Sequence, residues 1–422
     1  YPEGTPLCIY NLDKAGFMPN LDRSAENLLR AHAVCLECKK KLRLGLNFVE
    51  RNLTATIGET SAAKMRVFLI PKIIGTKLSY EQLLDLSSKM KSAFNIVRAY
   101  EGLEDVERTV KDLMELEALY GETPAYFLNL LFGERISSHF SFQYLIQDVP
   151  VMRFVELSRH MVDVSNCVFT VFKDARKEWS IGFEEIFSIF PLQKTKKGVE
   201  WKPLIELLNS MLSGTPYPRE NIISRAVLFA RIHRYGTYSA YSLKPLKNNA
   251  EYVLCRGVLK YNLLLKLLIE IGVIPMDKET TSEPFRAPEG DIESFLSMMG
   301  YAEWQKALFL LGLLVGRIGA EQYNKGDKKK AILNKINFQG MPAERVKLLA
   351  VDVVDGMRNY RVLDSYSEAI YANMKMMMDR NLDKFQNPID NVFYILSGYA
   401  YTTLQAMKRG GENKNGKGSS KQ

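Results

Sequence analysis

The chain has 422 residues and a net charge of +9, with 46% hydrophobic and 25% charged residues. These proportions exclude a chain that is disordered over most of its length, and the length exceeds what one core usually organises, so two or three domains are expected. Five cysteines in so long a chain do not make a disulfide framework. The longest apolar run, 307–318, is too short to span a bilayer and contains Arg317. With no secretory leader pattern either, the expected compartment is the cytoplasm, with no membrane partner. Tyr1 in place of Met points to a segment upstream. Lys408, Arg409, Lys414, Lys417 and Lys421 against Glu412 hold almost half of the positive excess, so any polyanion binding by the body must come from local clusters.

In chain order, the first signal is Cys35-Leu36-Glu37-Cys38. Two thiolates two residues apart can occupy adjacent corners of a zinc tetrahedron, which makes Cys35 and Cys38 half of a structural zinc site. His32 and Cys8 are candidates for the remaining ligands, and a redundant pair of thiols is the bland alternative. A strand is predicted over 66–70, stopped by Pro71. Ser79-Tyr80-Glu81-Gln82 fits a capping box that opens a helix. Phe140, Phe142, Tyr144 and Ile146 alternate with polar residues, as in a half-buried strand, and 168–172 is a further β-rich run, with Cys167 beside it expected in the strand. After Pro218 a helix is predicted up to Gly236, and Cys255 is expected just before the next one. The segment 277–290, rich in Pro, Gly, acids and threonines, reads as a linker. Beyond it the signals are almost purely helical. Gly312 and Gly316 suggest close helix packing, the apolar residues from Val346 to Tyr360 recur at helical steps, and Asn387-Pro388 opens a last helix that Gly410 should end. The remainder, 410–422, is too polar to order itself.

Enzyme signatures are thin. His32, His139, His160 and His233 form no metal-binding or catalytic spacing, and the glycine-lysine pattern at 411–417 has Gly418 where a phosphate loop needs a hydroxyl. No catalytic residue is therefore assigned, and the chain is expected not to be an enzyme.

Two basic clusters are the binding candidates. The first comprises Arg219, Arg225, Arg231 and Arg234 on the predicted helix, continued by Tyr238, Tyr241, Lys244 and Lys247. Guanidinium forks bind phosphate bidentately and exposed tyrosines stack on unpaired bases, a combination suited to single-stranded RNA. The second comprises Lys325, Lys328, Lys329, Lys330 and Lys335 in a connection between helices, followed by Asn337 and Gln339. Lysines there can track phosphates as point charges. A solvated helix face with core tyrosines, and a lysine run serving only solubility, are the competing readings.

Read together, these residues resemble the large subunit of the type I-B CRISPR surveillance complex, Cascade. The resemblance rests on YNLDKAGFMPNLD (10–22), CLECKKKLRLGLNFVERNL (35–53), RVFLIPKII (66–74), YFLNLLFGERISSHFSFQYLIQDVP (126–150), FLLGLLVGRIGAEQYNKG (309–326) and ILNKINFQGMPAERVKLL (332–349). It implies a non-catalytic role in antiviral defence. Such a subunit contacts the guide RNA near its 5′ handle, the backbone and handle-binding subunits and the double-stranded DNA target, helps sense the target-adjacent motif, and helps recruit a helicase-nuclease. It also implies that Cys35 and Cys38 are the second metal pair of a zinc ribbon whose first pair lies in an N-terminal region absent from this chain.

The expected architecture is α+β and mainly α. It comprises a cysteine-bearing zinc-ribbon remnant and strand (1–75), a mixed helical and β middle domain (76–276), the linker (277–290), a helical bundle resembling the Cascade small subunit (291–409) and a disordered tail (410–422). Met298 and Met299 stand where internal translation could release that bundle as a separate small subunit. The rival functions are a generic RNA-binding scaffold and a metal-dependent enzyme with ligands in a missing N-terminal part.

Overall fold

A capping box opens one of the first helices of the chain: the Ser79 hydroxyl accepts from the Gln82 N–H at 3.2 Å, and the Gln82 side chain accepts from the Ser79 N–H at 2.8 Å. The computed structural model describes residues 34–58, 63–74, 78–99, 103–120, 125–136, 139–172, 176–196, 198–245, 250–275 and 290–416. The fold is α+β and mainly α, in two compact units: Tyr1–Arg159 with Gly182–Phe187 and Trp201–Ser213, and His160–Ile181 with Ser188–Glu200 and Gly214–Gln422.

The first unit is built on an antiparallel sheet of order β1-β2-β3-β4, formed by Thr54–Ile57, Met65–Ile74, Ala125–Ile136 and His139–Pro150. Helix α1, Leu36–Asn52, precedes it. Helices α2 (Tyr80–Arg98) and α3 (Leu103–Tyr120) connect β2 to β3. The register sets Phe68 opposite Leu131 and Val67 opposite Phe132, so alternation puts the two pairs on opposite faces. Phe68, Leu131 and Phe140 form a buried cluster that Val49 of α1 joins. The predicted strand runs on through Pro71 instead of stopping there. The Leu69 N–H points to Leu53 O at 2.8 Å, so the next position of that parity, Pro71, faces a side where β1 has already ended and no ladder bond is lost. The carboxylate of Glu184 accepts the Gly58 N–H at 3.0 and 3.1 Å and lies 3.6 Å from Arg98, which ties the end of β1 to α2 and to the helix α5 named below.

The run 168–172 is not a strand. It ends helix α4, Val151–Phe172, whose buried Phe154, Val155, Ser158, Met161, Val162, Ser165, Val168, Val171 and Phe172 recur at steps of three and four. Its β-branched residues mimic a strand only when the window is cut to five. Cys167 accordingly lies in this helix. Helices α5 (Phe183–Ile189) and α6 (Lys202–Ser213) follow.

The second unit contains α7 (Arg219–Tyr235), α8 (Ala250–Glu270), α9 (Gly290–Met298), α10 (Glu303–Asn324), α11 (Ala343–Tyr360), α12 (Ser365–Arg380) and α13 (Pro388–Gly416). Cys255 is buried inside α8, not before a helix. Helix α13 passes Gly410 and continues to Gly416, so that glycine is no terminator. The proposed boundary at the linker also needs correction. Residues 276–289 lie outside the described set, but the helices that follow share a core with α7 and α8. Asn262 of α8 donates to Ser397 of α13 at 2.9 Å and its carbonyl accepts from Tyr301, while Arg219 of α7 reaches Asp390 of α13 at 2.8 Å. A bundle cut out at Met299 would bare the surfaces of α13 that α7 and α8 cover, so these helices do not bury their stripes independently.

Candidate nucleic-acid interface

Helix α7 starts after Pro218 and stops where Gly236 turns left-handed at φ +70°, its N–H returning to Ile232 O at 2.8 Å. Its buried face is Ile222, Ile223, Ala226, Val227, Phe229, Ala230, Ile232 and His233. The four arginines therefore sit on its flanks, and the structure gives them different tasks.

Arg219 donates to Asp390 Oδ2 at 2.8 Å and to the Tyr394 hydroxyl at 2.6 Å. Burial alone would lower its pKa, but Tyr394 and Asp390 outweigh that and hold it above its ordinary value. Arg225 donates to Pro191 O at 3.0 Å and lies over the Phe190 ring. Both guanidiniums are spent inside the fold, which corrects their reading as phosphate contacts. Arg231 is half-buried and makes no ion pair or hydrogen bond among the described residues. Arg234 donates to Lys329 O at 2.9 Å and to Asn334 Oδ1 at 3.0 Å. It thereby clamps the end of α7 to the second basic cluster, almost a hundred residues further along the chain.

The clamped loop is ordered from within. Asp327 accepts the N–H groups of Lys329 at 3.0 Å and Ala331 at 2.7 Å, and Gln322 accepts that of Ile332 at 3.0 Å. Lys330 turns inward with φ +52°. Its amine is 2.6 Å from Glu251 Oε1, 3.4 Å from the Tyr399 hydroxyl, and over the rings of Tyr323 and Tyr399. It is 4% exposed, so it cannot be the phosphate contact its neighbours suggest. Lys328 and Lys329 stay exposed, with no carboxylate partner among the described residues. Lys335 is 3.3 Å from Asp352, and Lys325 lies over the Tyr360 ring with Glu321 at 3.7 Å. Asn337 accepts the Gln339 N–H at 3.0 Å in a local turn, and both side chains face solvent.

The tyrosines divide similarly. Tyr238 is half-buried, its hydroxyl 3.0 Å from His233 Nδ1, and Tyr241 forms an isolated bridge with Gln193. Tyr238 is thus engaged within the fold, while Tyr241 is half-buried and held through its backbone. Tyr235, which the sequence reading passed over, is 60% exposed and packs edge-on against Phe338 at 5.8 Å. Its position between Arg234 and the terminating Gly236 was the available signal. Lys244 is exposed, and Lys247 lies outside the described residues. The Arg234 clamp brings Arg234, Tyr235, Lys328 and Lys329 together at the end of α7, with Arg231 one turn earlier on the same helix and Lys335, paired with Asp352, next to the clamped Asn334.

Burial pushes His233 down to about 4. The folded value lies below the unfolded one, so the unfolded chain takes up its proton first as the pH falls. The contribution is present in full above about pH 6.5 and is lost between there and about 4, a span worth on the order of 2–3 kcal/mol. The unfolding midpoint should fall over that window in the parent chain and fall less in His233→Gln.

At the other end of the described chain, Cys35 caps α1, its sulfur accepting the Cys38 N–H at 3.3 Å. That hydrogen bond lowers the Cys35 pKa, while its neighbour's thiol raises that of Cys38. Both thiols are exposed and adjacent, so they fit two corners of a zinc tetrahedron. Among the described residues no group of three metal-ligating side chains converges, and the other candidates, Cys8 and His32, lie outside them. None of the described helices is long and apolar enough to cross a membrane.

The chain matches two family models, the central domain of CRISPR-associated protein TM1802 (cas_TM1802) over residues 4–149 and its C-terminal domain over residues 181–413. No curated protein matches it. A basic surface on a mainly helical scaffold thus belongs to a CRISPR-associated protein. The second match alone spans more than half of the chain, and the chain belongs to the TM1802 family.

Proposed function

We propose that this chain is the non-catalytic large subunit of a type I-B Cascade complex, a cytoplasmic RNA-guided DNA surveillance assembly. The single observation that carries the reading is the Arg234 clamp, which fuses two basic segments distant in sequence into one surface. Membership of a CRISPR-associated family supports it. The surface offers point charges for a backbone and Tyr235 as a stacking face, the equipment of a single-strand track and not of base-edge readout. Sequence would then be read by guide pairing. The backbone and handle-binding subunits and the helicase-nuclease are the protein partners in this reading, with structural zinc held in part by Cys35 and Cys38.

Single-strand RNA affinity measured from 50 to 200 mM salt tests it. Lys328→Ala with Lys329→Ala should lower the salt slope by about 0.7 per lost phosphate contact, about 1.4 for the pair. An unchanged slope would overturn the assignment of this surface. Sequencing the RNA that copurifies with the native complex tests the assembly: repeat-spacer RNA is expected, and unrelated cellular RNA would favour a generic scaffold.

A further inference from the structure

Helix α11 turns one face to the core, with Val346, Leu349, Ala350, Val353 and Met357 buried and Gly356 set against Ile318 of α10. Its opposite face is not polar throughout, because Leu348 is 57% and Val351 59% exposed. Half-buried Val354 joins them. At about 100° per residue, Leu348 and Val354 fall on either side of Val351, within about 60° of it. Four charges complete the face inside the same arc: Glu344 and Lys347 before the valine, Asp355 and Arg358 after it.

The order of these charges identifies the occupant. Glu344 lies as far before Val351 as Arg358 lies after it, and Lys347 as far before it as Asp355 after. An antiparallel copy of the helix, related by a two-fold axis at Val351, therefore sets Glu344 opposite Arg358 of the second copy and Lys347 opposite its Asp355, with valine against valine at the centre. Every contact then occurs twice, as an isologous interface requires. Parallel pairing would oppose each charge to its like. Within one chain the same groups pair only with exposed neighbours, Glu344 with Lys347 at 3.0 Å and Asp355 with Arg358 at 4.0 Å. Such pairs are worth little in water and are easily exchanged. A phosphate backbone would be repelled by Glu344 and Asp355, so nucleic acid does not fit this face. We infer that two copies of this chain associate through α11, antiparallel about Val351. One helix pair with a short apolar centre is a small interface, and the dimer should be reversible at micromolar concentration. The inference does not rest on the proposed nucleic-acid surface.

Sedimentation velocity on the full chain, from about 1 to 100 μM, reads the assembly directly. The parent chain should pass reversibly from monomer to dimer over that range. Val351→Glu places two carboxylates at the axis and should weaken association by at least about tenfold, because apposed like charges are costly. Glu344→Arg alone and Arg358→Glu alone each oppose like charges at both ends of the pair and should do the same. All three positions are exposed, so thermal unfolding midpoints should stay close to the parent's. Mixed in equal amounts, the two end variants regain opposite signs at both ends and should associate about as well as the parent, an outcome that misfolded variants cannot give. A parent chain that stays monomeric overturns the inference, and so does a dimer indifferent to Val351→Glu, which would place the interface on another face. A mixture no better than its components overturns the antiparallel register. Lys328→Ala with Lys329→Ala should leave the dimer unchanged, so this face and the nucleic-acid surface can fail separately.

Discussion

Leucine at Gly312 or Gly398 will unfold the second unit, and alanine at either position will cost about 4 kcal/mol or more. A Cβ on Gly312 would stand 1.8 Å from Ile395 O and 2.7 Å from its carbonyl carbon, and one on Gly398 would stand 1.8 Å from Phe309 O. Each glycine thus faces the other helix's backbone where α10 crosses α13, and backbone cannot swing aside as a side chain can. The helices would have to separate, baring an interface that includes buried Phe309, Leu313, Tyr394 and Tyr401. Overpacking against side chains usually costs about 1–3 kcal/mol, and backbone against backbone should exceed that. Gly316→Ala meets the Thr402 side chain at 2.8 Å and should fall within the lower range. Gly45→Ala, inside α1 with nothing within 4 Å, should be neutral or stabilising by about 0.5–1 kcal/mol. Denaturant unfolding of the four variants checks the order. A small loss at Gly312 would show that the crossing is looser than its backbone spacing implies.

That crossing was legible beforehand, because two glycines one turn apart in an apolar helix have few uses other than close approach. The same holds for local chemistry: the Ser79 capping box, the Gly236 stop and the Asn387-Pro388 start each depend on residues within four of one another. What was not legible depends on distant partners. Lys328, Lys329 and Lys330 are identical in type and adjacent, yet two face water and the third faces Glu251, because a left-handed backbone at Lys330 reverses the chain there. No feature of the lysine run announces that turn, although Asp327 before it supplies the side chain that bonds the loop. Arg219 and Arg225 likewise match Arg234 in type and spacing. Only the position of Asp390, Pro191 and Asn334 in space separates the structural guanidiniums from the one that shapes the candidate surface. The division into units was missed for a related reason. Helix α13 packs on α7 and α8 across a Pro- and acid-rich segment that looks like a boundary in one dimension.

Lys330→Met should be the most damaging substitution on the basic loop although it removes no nucleic-acid contact. Methionine keeps the length and apolar stem of lysine and deletes the ammonium, which leaves Glu251 in a partly enclosed site with the Tyr399 hydroxyl as its remaining side-chain donor among the described residues. Removing one partner of a buried pair costs about 3–5 kcal/mol, and the 27% exposure of Glu251 places the expected loss near the lower end. Adding Glu251→Gln removes the orphaned charge and should recover a substantial part, so the double variant should be more stable than the sum of the singles by about 1–3 kcal/mol. The loop should respond with the core. Lys328 and Lys329 owe their placement to Asp327, to the Arg234 clamp and to the inward anchor of Lys330, so Lys330→Met should weaken the proposed single-strand RNA binding even at temperatures where the chain is folded. The double variant separates anchoring from contact. If Lys330 only positions the loop, restoring the core with Glu251→Gln brings back affinity and salt slope together. A salt slope that stays low in a stable double variant would mean that the Lys330 amine itself reaches phosphate, and would require the loop to open in the complex.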